Sequence, residues 1–276
     1  MSVRVVAIDI DGTLLDSEGH VPAVNRQAIL DAVEEGVEVV LVTGRSFHHA
    51  RPVADALPDR IVLIVSNGAL TKTFQGETVF QHFLPRQVAS GIITATRPFR
   101  EGAAVVFDRA DDRQYVFERI DWQHPNRLHY FERNRAFIAE HTPLEDALIE
   151  DPVQVMFSGS VAAMRDLAAR VRSLSRADRF TVTLTEYEHR DFSLLDVTTQ
   201  GCSKGAALAE WVTRRGVTAA DVMAIGDNLN DREMLEFAGH PVVMGNAVAG
   251  LKAFGWPQTE SNDEGGVAAA MRGIKG

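Results

Sequence analysis

The chain opens on an apolar, β-branched run from Val3 to Ile10, interrupted by Asp9 and ended by the turn at Gly12. Such a run predicts a buried strand. The period then changes. Between Pro22 and Glu35, Val24, Ala28, Ile29 and Ala32 fall on one helical face, and Gly36 stops the helix. Val37 to Val42 predicts a second strand, Ser46 to Leu57 a second helix and Ile61 to Val65 a third strand. Strands and helices alternating at this pitch predict a parallel sheet covered on both faces.

After Ser66-Asn67-Gly68 the pattern changes. Thr71 to Phe83 predicts a short hairpin turning near Gly76. Less regular strands follow at 103–108, 114–117, 153–158 and 181–185, with helices at 87–96 and 161–173. The first pattern resumes with a strand from Phe192 to Val197, a helix over 203–214, a strand over 222–225 and a helix over 231–237. A short strand at 242–244 and a helix at 265–271 close the chain. The expected fold is α/β: a doubly wound, Rossmann-like parallel-sheet core made of 1–82 plus 191–276, with an α+β module, 83–190, inserted into it.

Charge follows the same division. The chain of 276 residues carries a net charge of −10. The segment 83–190 holds 15 arginines against 16 acids, a net of −1, which leaves −9 on the remainder. The acid excess therefore belongs to the presumed core, where a metal site needs part of it. An acidic chain repels a phosphate backbone, which argues against nucleic acid as a partner. One cysteine, Cys202, excludes an internal disulfide and fits a reducing cytoplasm. No apolar stretch approaches the roughly 18 residues of a membrane helix, and the N-terminus does not read as a signal peptide.

Four polar motifs each lie at the end of a predicted parallel strand of the core, so all can converge on one site. Asp9-Ile10-Asp11-Gly12-Thr13 follows the first strand, and ligands of parallel sheets bind beyond the carboxyl ends of strands. Two carboxylates there suit a hard cation such as Mg²⁺, or one of them can attack a phosphoryl group. Read alone, the segment is equally a strand end followed by an Asp-Gly turn. Thr43-Gly44-Arg45 offers a hydroxyl, backbone N–H groups and a guanidinium for an anion, or simply a capped helix start. Lys204 sits in the first turn of the helix after the 192–197 strand, where the dipole disfavours a cation, so it suggests an acidic or anionic partner or is simply an exposed lysine. Asp227, Asn230 and Asp231 crowd the turn after Gly226 and supply hard oxygen ligands or supports for them, against the plainer reading of an acidic helix N-cap cluster.

Together and in this order, the four motifs resemble those of the haloacid dehalogenase superfamily of phosphohydrolases, over nearly the whole chain. Within it the chain is similar to the Cof-type subgroup, whose α+β cap is inserted between the threonine and lysine motifs. Ser66-Asn67-Gly68-Ala69, Met234-Leu235, Met244-Gly245-Asn246-Ala247 and the segment Ser261 to Val267 are further matches. The resemblance implies that Asp9 is the nucleophile, that Asp11 is the acid and then the base, and that Thr43 and Lys204 complete the catalytic set. It implies a Mg²⁺ ion bound by Asp9, the Asp11 carbonyl and Asp227, with Asp231 supporting. Gly12, Gly44, Arg45, Asn67 and Asn230 are the expected phosphate and substrate contacts. The expected activity is hydrolysis of a small phosphorylated metabolite by a cytoplasmic monomer or weak homodimer. A phosphomutase or phosphotransferase with the same nucleophile is the alternative, and a non-catalytic metabolite-binding protein the more distant one.

Other features carry less. His48, His49, His124, His129 and His141 show no shared ligand spacing and read as surface or structural. Cys202 reads as a packed thiol, and Trp211 and Phe237 as core. The aromatic and basic stretch 119–135 suits either substrate contact or packing within the inserted module.

Overall fold

The computed structural model describes residues 3–111, 113–120, 132, 134–188 and 191–274. The first strand, β1 (Val5–Asp9), is buried at every position. A tight turn over Ile10–Leu14 follows, then α1 (Ala23–Glu34), whose Ile29 and Ala32 face inward. β2 (Glu38–Val42), α2 (Phe47–Ala54) and β3 (Val62–Val65) repeat the pattern. β4 (Leu70–Thr73) then reverses to pair antiparallel with β3, and β5 (Thr78–Gln81) pairs antiparallel with β4.

Residues 82–202 form a separate compact unit. It contains α3 (Arg86–Ala95), β6 (Ala103–Val106), β7 (Tyr115–Phe117), β8 (Ile138–Glu140) and β9 (Gln154–Gly159). α4 (Val161–Arg172), β10 (Phe180–Tyr187) and β11 (Phe192–Thr199) complete it. The sheet order is β10-β11-β9-β6-β7-β8, antiparallel except for the β7–β8 pair. One face buries Val105, Val155, Phe157, Leu195 and Val197 against Ile92 and Ile93 of α3 and Leu167 and Val171 of α4. The alternate residues Ala104, Val106, Tyr115, Phe117 and Met156 lie on the other face, as the two-residue period of a strand requires. The stretch 119–135 lies largely outside the described residues.

The chain then returns to the first unit, 1–81 with 203–276. α5 (Lys204–Arg214), β12 (Val222–Gly226), α6 (Arg232–Phe237), β13 (His240–Val243), α7 (Ala249–Lys252) and α8 (Gly266–Ala270) complete it. Its sheet runs β13-β12-β1-β2-β3-β4-β5, with the first five strands parallel. The continuous burial of β1, β3 and β12 shows that both faces are covered. From β1 the chain winds outward to β2 on one side and comes back to β12 on the other. The carboxyl ends of β1 and β12 therefore flank the switch point where open α/β sheets bind ligands. Among the described residues, no helix is long and apolar enough to cross a membrane.

Two expectations need correction. The strand expected in the core over 192–197 is β11, which pairs antiparallel with β9 and β10 inside the second unit. The return crossing accordingly falls at 202–203 rather than 190–191. A strand followed by a helix start reads locally like one more turn of the core, because sequence period does not name a strand's partner. Lys204 therefore opens a helix reached by that crossing, not one that follows a parallel core strand.

Candidate active site

Each motif of the core sits where the chain leaves the sheet or enters it. Asp9 is the last residue of β1, Thr43 follows β2, Ser66 follows β3, and Asp227 follows β12. Gly12, at φ 77°, lets the turn after β1 close beside Asp227. A Cβ on it would lie 2.4 Å from Asp227 Oδ2. Gly68 does similar work for the lysine: its φ is 99°, and a Cβ there would lie 2.3 Å from the Ser203 carbonyl oxygen. The loop after β3 thus packs directly on the residue that caps α5, with Ser203 Oγ accepting from Ala206 N. Lys204 is fixed in turn.

Lys204, buried at 2% exposure, donates from Nζ to Asp9 Oδ1 and to Asp231 Oδ1, both at 2.6 Å. Asp231 is fully enclosed, and its Oδ2 accepts from the backbone N–H groups of Asp227 and Asn228. Both of its oxygens are thereby committed to holding the lysine and the turn. Asp9, Asp227 and Asp231 each bring a carboxylate oxygen within 4.8 Å of the others. Three carboxylates share one ammonium, and the electrostatics show it. Burial, then the charge of Asp231, hold Asp9 well above the usual carboxylate range, with Lys204 opposing. Burial and Asp231 push Asp227 up to about 7, against Lys204 and the Thr13 hydroxyl. For Lys204 burial works against the charge, but Asp231 and Asp9 outweigh it and keep the ammonium protonated.

A dication fits this set. The donors are hard oxygens, the acids repel one another, and Asp9 and Asp227 keep the acceptor capacity that Asp231 has spent. The Gly12 carbonyl beside them accepts from Asn246 Nδ2 at 2.8 Å, and Asn246 Oδ1 accepts from Asn262 N. Thr13 Oγ1 donates to Asp227 Oδ1 at 3.2 Å. Thr13, Asn246 and Asn262 are supports that the sequence reading gave no role. All three lie within the motifs that carry the family resemblance, but their partners are distant in sequence.

Arg45, an expected phosphate contact, turns its guanidinium to Asp11. Its Nε and Nη2 donate to Asp11 Oδ2 and Oδ1 at 2.8 and 2.6 Å, a two-pronged pair. Thr43 Oγ1 accepts from Arg45 N, so the hydroxyl shapes the turn that presents the guanidinium. Asn67 N donates to the Thr43 carbonyl and Ser66 N to that of Arg45, which stitches the loops after β2 and β3 together. Ser66 and Asn67 both take positive φ, 51° and 53°, a conformation that concentrates at functional sites. A Cβ on Gly44 would lie 3.1 Å from Asn67 Oδ1, so these two also meet. Asn230 is half-buried on the Asp227–Asp231 turn but makes none of the side-chain bonds that tie the cluster together.

Among the described residues, this is the one acidic or histidine group arranged to share a metal ion. His49 Nδ1 pairs with Ser46 Oγ, Cys202 is buried, and His124 and His129 lie outside the described residues.

The family profile of the haloacid dehalogenase-like hydrolases matches residues 6–271. Phosphatase YwpJ of Bacillus subtilis is 26% identical over 98% of this chain and 99% of its own length. An HMP-PP phosphatase of Serratia proteamaculans is 30% identical over 91% of this chain and 86% of its own. A solved haloacid dehalogenase-like hydrolase from Bacteroides thetaiotaomicron superposes with a TM-score of 0.80 at 25% identity, covering 98% of both chains. The class is that of the phosphoric monoester hydrolases. The chain belongs to the haloacid dehalogenase-like hydrolase family, with the Cof-type arrangement of core and cap.

Proposed function

We propose that the protein is a Mg²⁺-dependent phosphatase of small phosphorylated metabolites, working through an aspartyl-phosphate on Asp9. The observation that carries this reading is Lys204 wedged between Asp9 and Asp231, with Asp227 close enough to share a cation with Asp9. The lysine leaves one Asp9 oxygen, Oδ1, engaged and orients the carboxylate for attack through the other.

In the first step a bond forms between Asp9 oxygen and phosphorus as the ester P–O bond breaks. Asp11 gives its proton to the departing alkoxide. In the second step Asp11 takes a proton from water as that water attacks phosphorus, and phosphate leaves with Asp9 regenerated. Lys204 offsets the repulsion between the carboxylate and the phosphate dianion. A Mg²⁺ ion held by Asp9, the Asp11 carbonyl and Asp227 would supply the rest of the positive charge. Thr43, Gly44 and Arg45 present a hydroxyl, N–H groups and a guanidinium to phosphate oxygens. Asn67 holds that loop, and Asp231 holds the lysine.

The relatives support water as the acceptor, since they are phosphatases. The HMP-PP phosphatases and the 5-amino-6-(5-phospho-D-ribitylamino)uracil phosphatase YwtE of Bacillus subtilis are named for small phosphorylated molecules. That is the substrate class proposed here, and a single buried cysteine suits a cytoplasmic setting. The test is phosphate release from a panel of phosphorylated metabolites, with Mg²⁺ and then with EDTA. Asp9→Asn should abolish release while its circular dichroism matches the parent. Release persisting in Asp9→Asn would remove the aspartyl-phosphate mechanism.

A further inference from the structure

The turns that carry Asp11 and Asp227 follow different strands, and one loop of the core bonds to both. After β13 the chain runs through Met244-Gly245-Asn246-Ala247-Val248 into α7. Asn246 Nδ2 donates to the Gly12 carbonyl at 2.8 Å. Two residues on, Val248 N donates to the Asp227 carbonyl at 3.0 Å, while Met244 N donates to that of Gly226. The loop therefore spans the turn after β1 and the turn after β12. These are the two turns whose separation sets the distance between the Asp11 carbonyl and the Asp227 carboxylate.

A lysine holds the loop. Lys252 Nζ, from the end of α7, reaches back past the start of its own helix to donate to the Gly245 carbonyl. Gly245 N in turn donates to the Glu260 carbonyl, and a Cβ on Gly245 would lie 2.8 Å from Ser261 N. Gly245 is thus pinned between Lys252 and the segment 259–261. Lys252 is the only charged residue from Val248 to Pro257, and Ala249, Gly250, Ala253, Phe254 and Pro257 of that run are exposed. A lysine on such a surface is ordinarily solvated, and ordering its long stem opposes folding. Here it is half-buried against one backbone carbonyl and fixes it.

We infer that Lys252 is a positioning residue for the Mg²⁺ site: through Gly245 it holds the loop that ties the Asp11 turn to the Asp227 turn, and so sets how tightly the ion binds. The inference rests on the phosphatase reading and adds to it a residue outside the four motifs. Lys252 acts from behind, as groups that orient metal ligands do. Without its ammonium the Gly245 carbonyl loses its donor and the loop is free to shift. The Asp11 carbonyl and Asp227 then keep their chemistry but lose their fixed spacing.

The test uses the full-length parent, Lys252→Met and Lys252→Arg, each checked by its melting curve in EDTA. Titration calorimetry gives the Mg²⁺ Kd without turnover, and phosphate release from p-nitrophenyl phosphate gives the Mg²⁺ concentration for half-maximal rate. Lys252→Met should weaken Mg²⁺ about tenfold by both readouts, the lower end of what losing an orienting group costs a metal site. Its kcat at saturating Mg²⁺ should approach the parent's. Lys252→Arg, which can still donate to the Gly245 carbonyl, should bring the Kd back towards the parental value. A Lys252→Met Kd equal to the parent's, whatever its melting temperature, would confine Lys252 to stability and overturn the inference. If the parent neither binds Mg²⁺ nor needs it for phosphate release, the metal-dependent reading fails on its own. The loop's hold on the two turns is then judged by hydrogen exchange in EDTA. Lys252→Met should exchange faster than the parent over 10–15 and 227–231, and equal exchange in both segments overturns it.

Discussion

Arg45 grips both carboxylate oxygens of Asp11, at 2.6 and 2.8 Å, across 34 residues of sequence. The pair joins the turn after β1 to the turn after β2, and it occupies the carboxylate assigned the proton-transfer role. A phosphate bound between the two turns would compete for the same planar fork.

Arg45→Lys tests that fork. Lysine keeps the charge but cannot donate two parallel bonds to one carboxylate or phosphate. The expected result is a fall in kcat of about tenfold or more, seen in steady-state phosphate release. A lysine variant with parental kcat would reduce Arg45 to a simple positive charge.

Lys204→Met should destabilise the fold as well as stop turnover. Removing the ammonium leaves Asp9 and Asp231 buried side by side without their shared partner. Breaking a buried pair from one side costs about 3–5 kcal/mol. Urea unfolding of the metal-free proteins measures it, and Mg²⁺ should recover part of the loss because it binds only the folded state.

The acids make stability depend on pH. Asp227 is raised in the folded protein from an ordinary value of 3.8 to about 7, chiefly by burial. A raised carboxyl binds its proton more tightly when folded. Its contribution to stability is therefore complete below about pH 4 and disappears as pH rises through about 7. In EDTA the melting temperature should fall across that window more than it does in Asp227→Asn. With Mg²⁺ present the fall should shrink. A pH profile that is the same in parent and variant would show that Asp227 does not set it.

Asn246 closes the turn from behind, donating to the Gly12 carbonyl and accepting from Asn262 N. Asn246→Ala should cost about 1–2 kcal/mol in urea unfolding. It should also raise the Mg²⁺ concentration giving half-maximal activity, since the turn carrying Asp11 loses its brace. Unchanged Mg²⁺ dependence would confine Asn246 to stability.

The apolar runs at 3–10, 37–42, 61–65 and 222–225 determined the parallel core. Each buries on both faces and ends at a turn, and these are local signals that survive without knowledge of neighbours. The polar residues at or just past those ends, Asp9, Thr43 and Asp227, were legible for the same reason. Pairing was not. Whether Phe192 to Thr199 joins the core or the cap depends on which edge its backbone meets, and its own alternation is compatible with either. Nor could spacing alone show that Arg45 closes on Asp11, that Asp231 spends both oxygens on Lys204 and its own turn, or that Thr13 and Asn246 brace the site. Those bonds join groups up to 234 residues apart, and only the folded chain brings them within reach.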